Sequence, residues 1–291
     1  MAGQAGPLRV VDGTALLFRA FFGGARGLDA GGVEVGAVRA VGARLRRWLE
    51  PGRALVVALD AGPLTFRNAL DPAYKAHRGE PPPELVPQFA RVAEMAAALG
   101  VATWSQPGFE ADDLMATLAH RARAEGRSVV LLSADKDLCQ LVDDAPPAIS
   151  LEDPWSGART DAAGVRARLG VPPERVVDLL ALVGDAADGV RGVAGIGART
   201  AAALLGDGTP LDHYLDTPSA AAARVARGAE ALVARLAAAK APVAHARALV
   251  TLRRDVPVPE AVWQGQVWAG PPAAGAPVLR ALGAHNPQPE T

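Results

Sequence analysis

The stretch VVLLSADKD, Val129 to Asp137, joins four apolar residues directly to a pair of acids. An unbroken Val/Leu run of this length, closed by small polar residues, reads as a strand buried on both faces. Asp135 and Asp137 leave that strand at once. Two other runs repeat the pattern: Leu8 to Val11 ends at Asp12-Gly13, and Ala54 to Leu59 ends at Asp60. Apolar residues recur at helical spacing over Gly36–Leu49, Glu84–Leu99 and Asp112–Glu125. Val101–Trp104 reads as a further strand and Ala148–Leu151 as an edge strand. Strands alternating with helices predict an α/β fold with a mainly parallel central sheet flanked by helices. Asp12, Asp60 and Asp135 are then expected at the carboxyl ends of three strands, where open α/β sheets carry their sites.

After Thr160 the pattern turns all-helical, over Asp161–Leu169, Glu174–Val183, Arg199–Leu205, Ser219–Ala239 and Val243–Leu252. The division expected is an α/β core over 1–160, a helical subdomain over 161–257 and a loosely packed Pro/Gly/Ala-rich tail over 258–291. No run of about 18 apolar residues is present, so no membrane span is expected. The N-terminus lacks the basic and apolar segments of a signal peptide. The single cysteine, Cys139, excludes an internal disulfide framework and a Cys-rich zinc site, which predicts a reducing cytoplasm.

The net charge of −1 argues weakly against a nucleic-acid partner, but its distribution does not. Residues 1–188 carry 20 Lys/Arg and 24 Asp/Glu, nine of the acids being Asp12, Asp60, Glu110, Asp112, Asp113, Asp135, Asp137, Asp185 and Asp188. Without those nine the segment is net +5, and residues 189–254, with 9 basic and 4 acidic residues, are +5 as well. An acidic knot in basic surroundings suits metal-dependent work on a phosphate backbone. A balanced, solvated surface fits the same charge count. Acids that close together need a cation between them, and hard divalent ions such as Mg²⁺ take carboxylate oxygens.

Four motifs carry the chemistry. GFEADDLMATLA, Gly108 to Ala119, crowds Glu110, Asp112 and Asp113 into one turn, and LLSADKDLCQLV holds the Asp135/Asp137 pair. Acids opening a helix explain either motif alone. LVGDAADGVRGVAGIGARTA, Leu182 to Ala201, sets Asp185 and Asp188 three apart, on one face of a helical turn, before glycines 189, 192, 195 and 197. No strand precedes these glycines, so a dinucleotide site is not expected. A hairpin between helices, with N–H groups near Ala198 aimed at a DNA phosphate, fits better, and a plain helix–helix turn is the alternative. FRNALDPAYKAHRGEPPPEL, Phe66 to Leu85, sets Arg67, Lys75 and Arg78 in a Pro/Gly-punctuated stretch, readable as a basic segment over the acids or as a solvated loop. Tyr74 and Phe66 are candidates for stacking on an unpaired base or for packing.

The order of these motifs resembles the 5′ nuclease domain of bacterial DNA polymerase I, within the flap endonuclease superfamily. VVDGTALLFRAF, VVALDAGPLTFRNALDPAYKAHR, PGFEADDLMATLA, LLSADKDLCQLV and LVGDAADGVRGVAGIGARTAAALL carry the likeness, over about Leu8 to Pro257. The resemblance implies a PIN-like sheet, a helical arch at about 66–90 and a helix-three-turn-helix clamp containing a helix-hairpin-helix. It implies two divalent cations, Mg²⁺ or Mn²⁺, on the nine acids, with Asp12, Asp60, Glu110 and Asp112 nearer the nucleophile and the others acting partly through water. It implies K⁺ at the Gly-rich hairpin. Lys75 and Arg78, with Asp12 and Asp112, are the implied catalytic residues. Arg19, Arg67, Tyr74, Lys75, Arg78, Gly192, Gly195, Gly197, Arg199 and Thr200 are the implied DNA contacts. Gly189 stands where the family usually has Asn, Arg191 where it has Pro, Ala194 and Arg199 where it has Lys, and Thr14 where it has His. The hairpin departures bear on the clamp more than on the chemistry, and Thr14 lies near Asp12.

The activity so implied is structure-specific 5′-3′ exonuclease and flap endonuclease cleavage of DNA in replication and repair. The substrate is DNA with a 5′ flap or 5′ end. With the chain ending at Thr291, a monomeric stand-alone nuclease is expected, cooperating with a separate polymerase on the bacterial nucleoid. The competing readings are a branched-DNA-binding paralogue with weak cleavage and a metal-dependent ribonuclease on the same sheet. The Gly-rich hairpin argues against the second.

Overall fold

A computed structural model describes residues 6–282. Its central sheet is built from β1 (Leu8–Asp12), β2 (Ala54–Ala58), β3 (Ala102–Trp104), β4 (Val129–Leu132), β5 (Ile149–Glu152) and β6 (Arg159–Thr160), in the order β3-β2-β1-β4-β5-β6. All neighbours are parallel except β5 and β6. Leu8, Val10, Ala54, Val56, Val129 and Leu131 pack into the core on one face, while Val11, Leu55, Val57, Val130 and Leu132 pack on the other. The two-residue period of a strand therefore feeds two cores, which is why the runs read as continuously apolar. Full burial of each such side chain contributes about 1.5–3 kcal/mol.

Helices α1 (Gly13–Phe22), α2 (Gly36–Arg46), α3 (Phe66–Leu70), α4 (Val86–Ala98) and α5 (Ala111–Ala124) connect the strands. Leu16, Leu17, Val38, Val41, Val92 and Met95 from α1, α2 and α4 cover one face, and Leu114, Met115 and Leu118 from α5 cover the other. The helical part follows as α6 (Ala162–Leu169), α7 (Val176–Val183), α8 (Ala198–Leu205), α9 (Leu211–Asp216), α10 (Ala229–Ala237) and α11 (Lys240–Val250). Between α7 and α8 lies a two-stranded hairpin, β7 (Gly184–Asp185) and β8 (Val190–Arg191).

Five expectations need correction. The helical arch at 66–90 is not formed: between the five-residue α3 and α4 the chain runs as turns. There the Lys75 amide donates to the Asp188 carbonyl at 2.8 Å, and Lys75 adopts φ 55°, a strained conformation for a side-chain-bearing residue. Asp185 and Asp188 do not share a helical face but lie on and beyond β7, in the turn of the hairpin. The Ser219–Ala239 helix is split into a 3₁₀ segment, Pro218–Arg224, and α10, parted at Gly228 (φ 73°). Residues 258–282 are not loose: Trp263 and Gln266 are buried beside the sheet, and α12 (Glu260–Gln264) is followed by α13 (Gly275–Ala281), whose Leu279 packs into the core with α4. The rest of the expected tail, 283–291, lies outside the described residues. β5 also falls short of the edge, because β6 pairs outside it.

Candidate metal centre and nucleic-acid interface

The acids gather at the carboxyl edge of the sheet. Asp12 ends β1 and caps α1, its Oδ1 accepting from the Ala15 amide at 2.8 Å and its Oδ2 from the Ser133 hydroxyl at 3.1 Å. The next residue is glycine for a packing reason: a Cβ on Gly13 would lie 2.5 Å from Val57 Cγ1. Asp60 follows β2, its amide donating to Thr14 Oγ1 at 2.9 Å and its Oδ1 accepting from the Ala111 amide, at the start of α5, at 2.7 Å. Glu110 is the N-cap of α5 and Asp112 lies in its first turn. Asp135 and Asp137 follow β4, and the Asp137 amide donates to Asp135 Oδ1 at 2.9 Å.

Two acidic groups result. In the first, burial and the charges of Asp60 and Asp135 push Asp12 up to about 7, despite the donors on it. Asp112 is pushed well above the usual carboxylate range by burial and by Asp135, Asp12, Glu110 and Asp60. Desolvation and Glu110 raise Asp60. In the second, carboxylate oxygens of Asp137, Asp185 and Asp188 lie within 4.8 Å of one another. Desolvation and Asp135 push Asp137 up to about 7. Asp135 thus acts on both groups.

Both groups suit hard cations. Asp137 Oδ1 is buried and accepts no hydrogen bond, so its lone pairs await a partner of another kind. Oxygen-only donor sets at this spacing suit a hard divalent ion better than a soft metal.

Side-chain cations lie among these acids. Lys75 Nζ is 2.6 Å from Glu110 Oε1 and 3.6 Å from Asp188 Oδ2, and Arg78 is 2.6 Å from Asp188 Oδ1. Burial works to lower the Lys75 pKa, but Glu110 and Asp188 outweigh it and keep the ammonium charged. Lys136 pairs with Asp185 at 2.6 Å. Lys136, Ser133 and Thr14 were not read as site residues from the sequence; a lysine set between the two acids of the 135/137 pair was the available signal.

Three sequence assignments fail. Asp113 is not open to a metal: it is fully buried, and its oxygens accept Arg67 at 2.7 and 2.8 Å, the Glu110 amide at 3.1 Å and the Arg253 amide at 2.9 Å. One residue along a helix turns a side chain by about 100°, so Asp112 and Asp113 face different surroundings. Arg67 is not a DNA contact, being 1% exposed and held by Asp113, Glu110 and the Leu249 carbonyl. Tyr74 is buried too, its hydroxyl shared between Glu110 at 2.9 Å and Asp188 at 3.0 Å, so it has no face for a base. Phe66 packs against Phe109, ring centroids 5.9 Å apart. Arg19 is exposed on α1 and pairs with Asp153 at 2.8 Å. In the hairpin, Gly195 has φ 78°, Gly197 opens α8 without a side-chain cap, and Arg199 and Thr200 lie in the first turn.

Comparison with known proteins decides the family. Residues 7–170 match the model of the 5′-3′ exonuclease N-terminal resolvase-like domain, and residues 171–269 that of the 5′-3′ exonuclease C-terminal SAM fold. This chain belongs to the 5′-3′ exonuclease family. Members of that family are metal-dependent 5′-3′ exonucleases and flap endonucleases. The chain is 37% identical over 263 residues to DNA polymerase I of Rhizobium leguminosarum, covering 86% of this chain and 25% of that protein. With DNA polymerase I of Chloroflexus aurantiacus the identity is 38% over 262 residues, 86% of this chain and 27% of the relative. The chain thus spans about a quarter of the length of these relatives. The fold is shared with bacteriophage T5 5′-exonuclease solved with zinc bound, at TM-score 0.64 and 24% identity, covering 94% of this chain and 96% of that one. Among the described residues no helix is long and apolar enough to cross a membrane.

The carboxylate shifts make a prediction for the exonuclease fold. Asp12 and Asp137 have folded pKa values of about 7 against an ordinary 3.8. Between those values the folded state binds more protons than the unfolded chain, so stability falls as pH rises. The metal-free protein is expected to melt at a higher temperature at pH 5.5 than at pH 8. Mg²⁺ must displace those protons, so its stabilising increment is expected to be larger at pH 8. Thermal melts in EDTA and in Mg²⁺ at both pH values measure this, and an increment independent of pH would contradict it.

Proposed function

We propose that this chain hydrolyses DNA phosphodiesters at 5′ ends and 5′ flaps, using two Mg²⁺ or Mn²⁺ ions. The observation that carries the reading is the gathering of eight acids into two groups, at the carboxyl edge of the sheet and in the adjoining hairpin, beside a basic segment. Asp12, Asp60, Glu110 and Asp112 would hold one ion, Asp137, Asp185 and Asp188 the other, with Asp135 between them. Bound there, the ions supply a water of lowered pKa and offset charge on the attacking and leaving oxygens.

The chain's own residues do the rest. Lys75 and Arg78 pair with Glu110 and Asp188, which a divalent ion would also neutralise. With those acids neutralised, the ammonium and guanidinium face the scissile phosphate and stabilise charge gathering on it. Arg199, Thr200 and the first N–H groups of α8 hold a duplex phosphate, and Gly197, with open space where a side chain would stand, lets the strand approach. Gly192 is instead required by its packing against Val183 and Gly184, and the hairpin would hold K⁺. Arg19 adds a phosphate contact from α1. The protein acts as a monomer in the cytoplasm on nucleoid DNA, in primer or flap removal in cooperation with DNA polymerase activity.

The test is cleavage of a labelled 5′-flap DNA with Mg²⁺ or Mn²⁺, for the wild type and Lys75→Ala. Wild-type cleavage that EDTA abolishes is expected. The variant should bind the flap with affinity within a few-fold of wild type but turn over about 10²–10³-fold more slowly, the scale of one transition-state donor. Unchanged turnover would remove Lys75 from the chemistry. Binding without metal-dependent cleavage by the wild type would leave a branched-DNA-binding protein instead.

A further inference from the structure

We propose that Arg235, from α10, is a DNA-phosphate contact that completes the Gly-rich hairpin from outside it. The inference rests on the DNA interface proposed above and adds a residue that the hairpin sequence does not contain. A Cβ built on Gly195 would lie 2.7 Å from Arg235 Cζ and Nε and 2.9 Å from Nη2. The guanidinium therefore lies directly over the hairpin backbone, in the space a side chain at 195 would fill. Leu232 and Leu236 are buried and fix the helix that presents it.

The charge at this place is not neutralised. Of the subdomain's arginines, Arg224 pairs with Asp207 and Arg247 with Asp178 and Asp212. Arg235 takes part in no ion pair among the described residues. No acid occurs from Gly189 to Leu205, and the hairpin adds Arg191 and Arg199 to the positive side. Ala194, at the hairpin itself, carries no charge. An exposed guanidinium over exposed hairpin backbone, with no ion pair among the described residues, keeps its donors available to a ligand. A phosphodiester oxygen supplies an acceptor at charge-assisted strength, and Gly197, with nothing in its side-chain space, leaves room for a strand beside it.

The test is binding of a 5′-flap DNA in Ca²⁺, which supports binding without turnover, across a salt series, for wild type, Arg235→Ala and Arg235→Lys. Arg235→Ala should raise Kd about 5–10-fold and lower the slope of log Kd against log salt by roughly 1, the share of one phosphate contact. Arg235→Lys should keep most of the slope. At saturating DNA the cleavage rate of Arg235→Ala should stay near wild type while KM rises, and Mg²⁺ binding to the DNA-free protein, read by calorimetry, should not change. Arg235 also stands in the last turn of α10, where a cation favours the helix dipole. Loss of melting temperature in Arg235→Ala with an unchanged salt slope would assign it that role alone and overturn the proposal. Wild type that binds and cleaves, with Arg235→Ala matching it, overturns the Arg235 contact only. Wild type that binds no DNA overturns the interface as a whole.

Discussion

Asp112→Asn is expected to abolish metal-dependent cleavage while raising the melting temperature of the metal-free protein. Both effects come from one cause. Asp112 is enclosed in the cleft, and burial together with Asp135, Asp12, Glu110 and Asp60 raises its pKa. Asp12 has the Ala15 amide and the Ser133 hydroxyl to offset the same crowding, whereas nothing acting on Asp112 lowers its pKa in that way. At neutral pH the fold must hold there either that charge or an extra proton, and either costs it free energy relative to the unfolded chain. The amide keeps the shape and removes the charge, so the fold should gain roughly 2–4 °C for each kcal/mol recovered. A cation loses a central ligand by the same change, and single-turnover cleavage of the flap substrate should fall by at least about 10³-fold. Melts in EDTA at pH 8 and quenched-flow cleavage in Mg²⁺ measure the two halves. A lower melting temperature would mean that hydrogen bonds to the carboxylate outweigh its repulsion. Near-normal cleavage would place the reacting phosphate elsewhere.

What the sequence revealed and what it hid divide along a physical line. β1, β2 and β4 were readable because each is apolar on both faces, and the acids after them follow from strand ends alone. The two-residue strands β6, β7 and β8 carry no periodicity of their own and exist through their pairing. The segment from Asp71 to Leu85, with four prolines, has no local preference for an arch. It takes its shape from Tyr74, Lys75 and Arg78 bonding to Glu110 and Asp188, more than a hundred residues from the latter. Asp112 and Asp113 are neighbours in the same motif, and only the tertiary partner separates the two. Arg67 opposite Asp113 consumes one acid, and the cleft leaves the other free for a cation. The break at Gly228 inside the alanine-rich stretch was masked by the helix propensity around it.

Arg67→Met is expected to destabilise the protein by about 3–5 kcal/mol, the scale for stranding one partner of a buried ion pair. The guanidinium sits over the Phe66 ring, 4.5 Å from its centroid, and is fully enclosed. Burial works to lower its pKa, but Asp113 and Glu110 outweigh it and hold the charge. Its donors join three parts of the chain: α3, which carries it; the start of α5, through Asp113 and Glu110; and the end of α11, through the Leu249 carbonyl at 2.6 Å. Methionine fills similar space but leaves Asp113 with two backbone amides and no counter-charge. Adding Asp113→Asn in the same protein should restore part of the loss, with a coupling of roughly 1–3 kcal/mol in a double-mutant cycle. Urea denaturation of the four proteins in EDTA measures it without any contribution from metal or DNA. Cleavage should fall as well, because Glu110 loses an orienting partner, and the Asp113→Asn background should not rescue that part. An Arg67→Met protein of near wild-type stability that binds flap DNA weakly would return Arg67 to the DNA interface. The buried bond to α11 makes the opposite expectation: Arg67 holds the helical subdomain against the acids of the sheet, with flap-DNA affinity changing no more than the loss of stability explains.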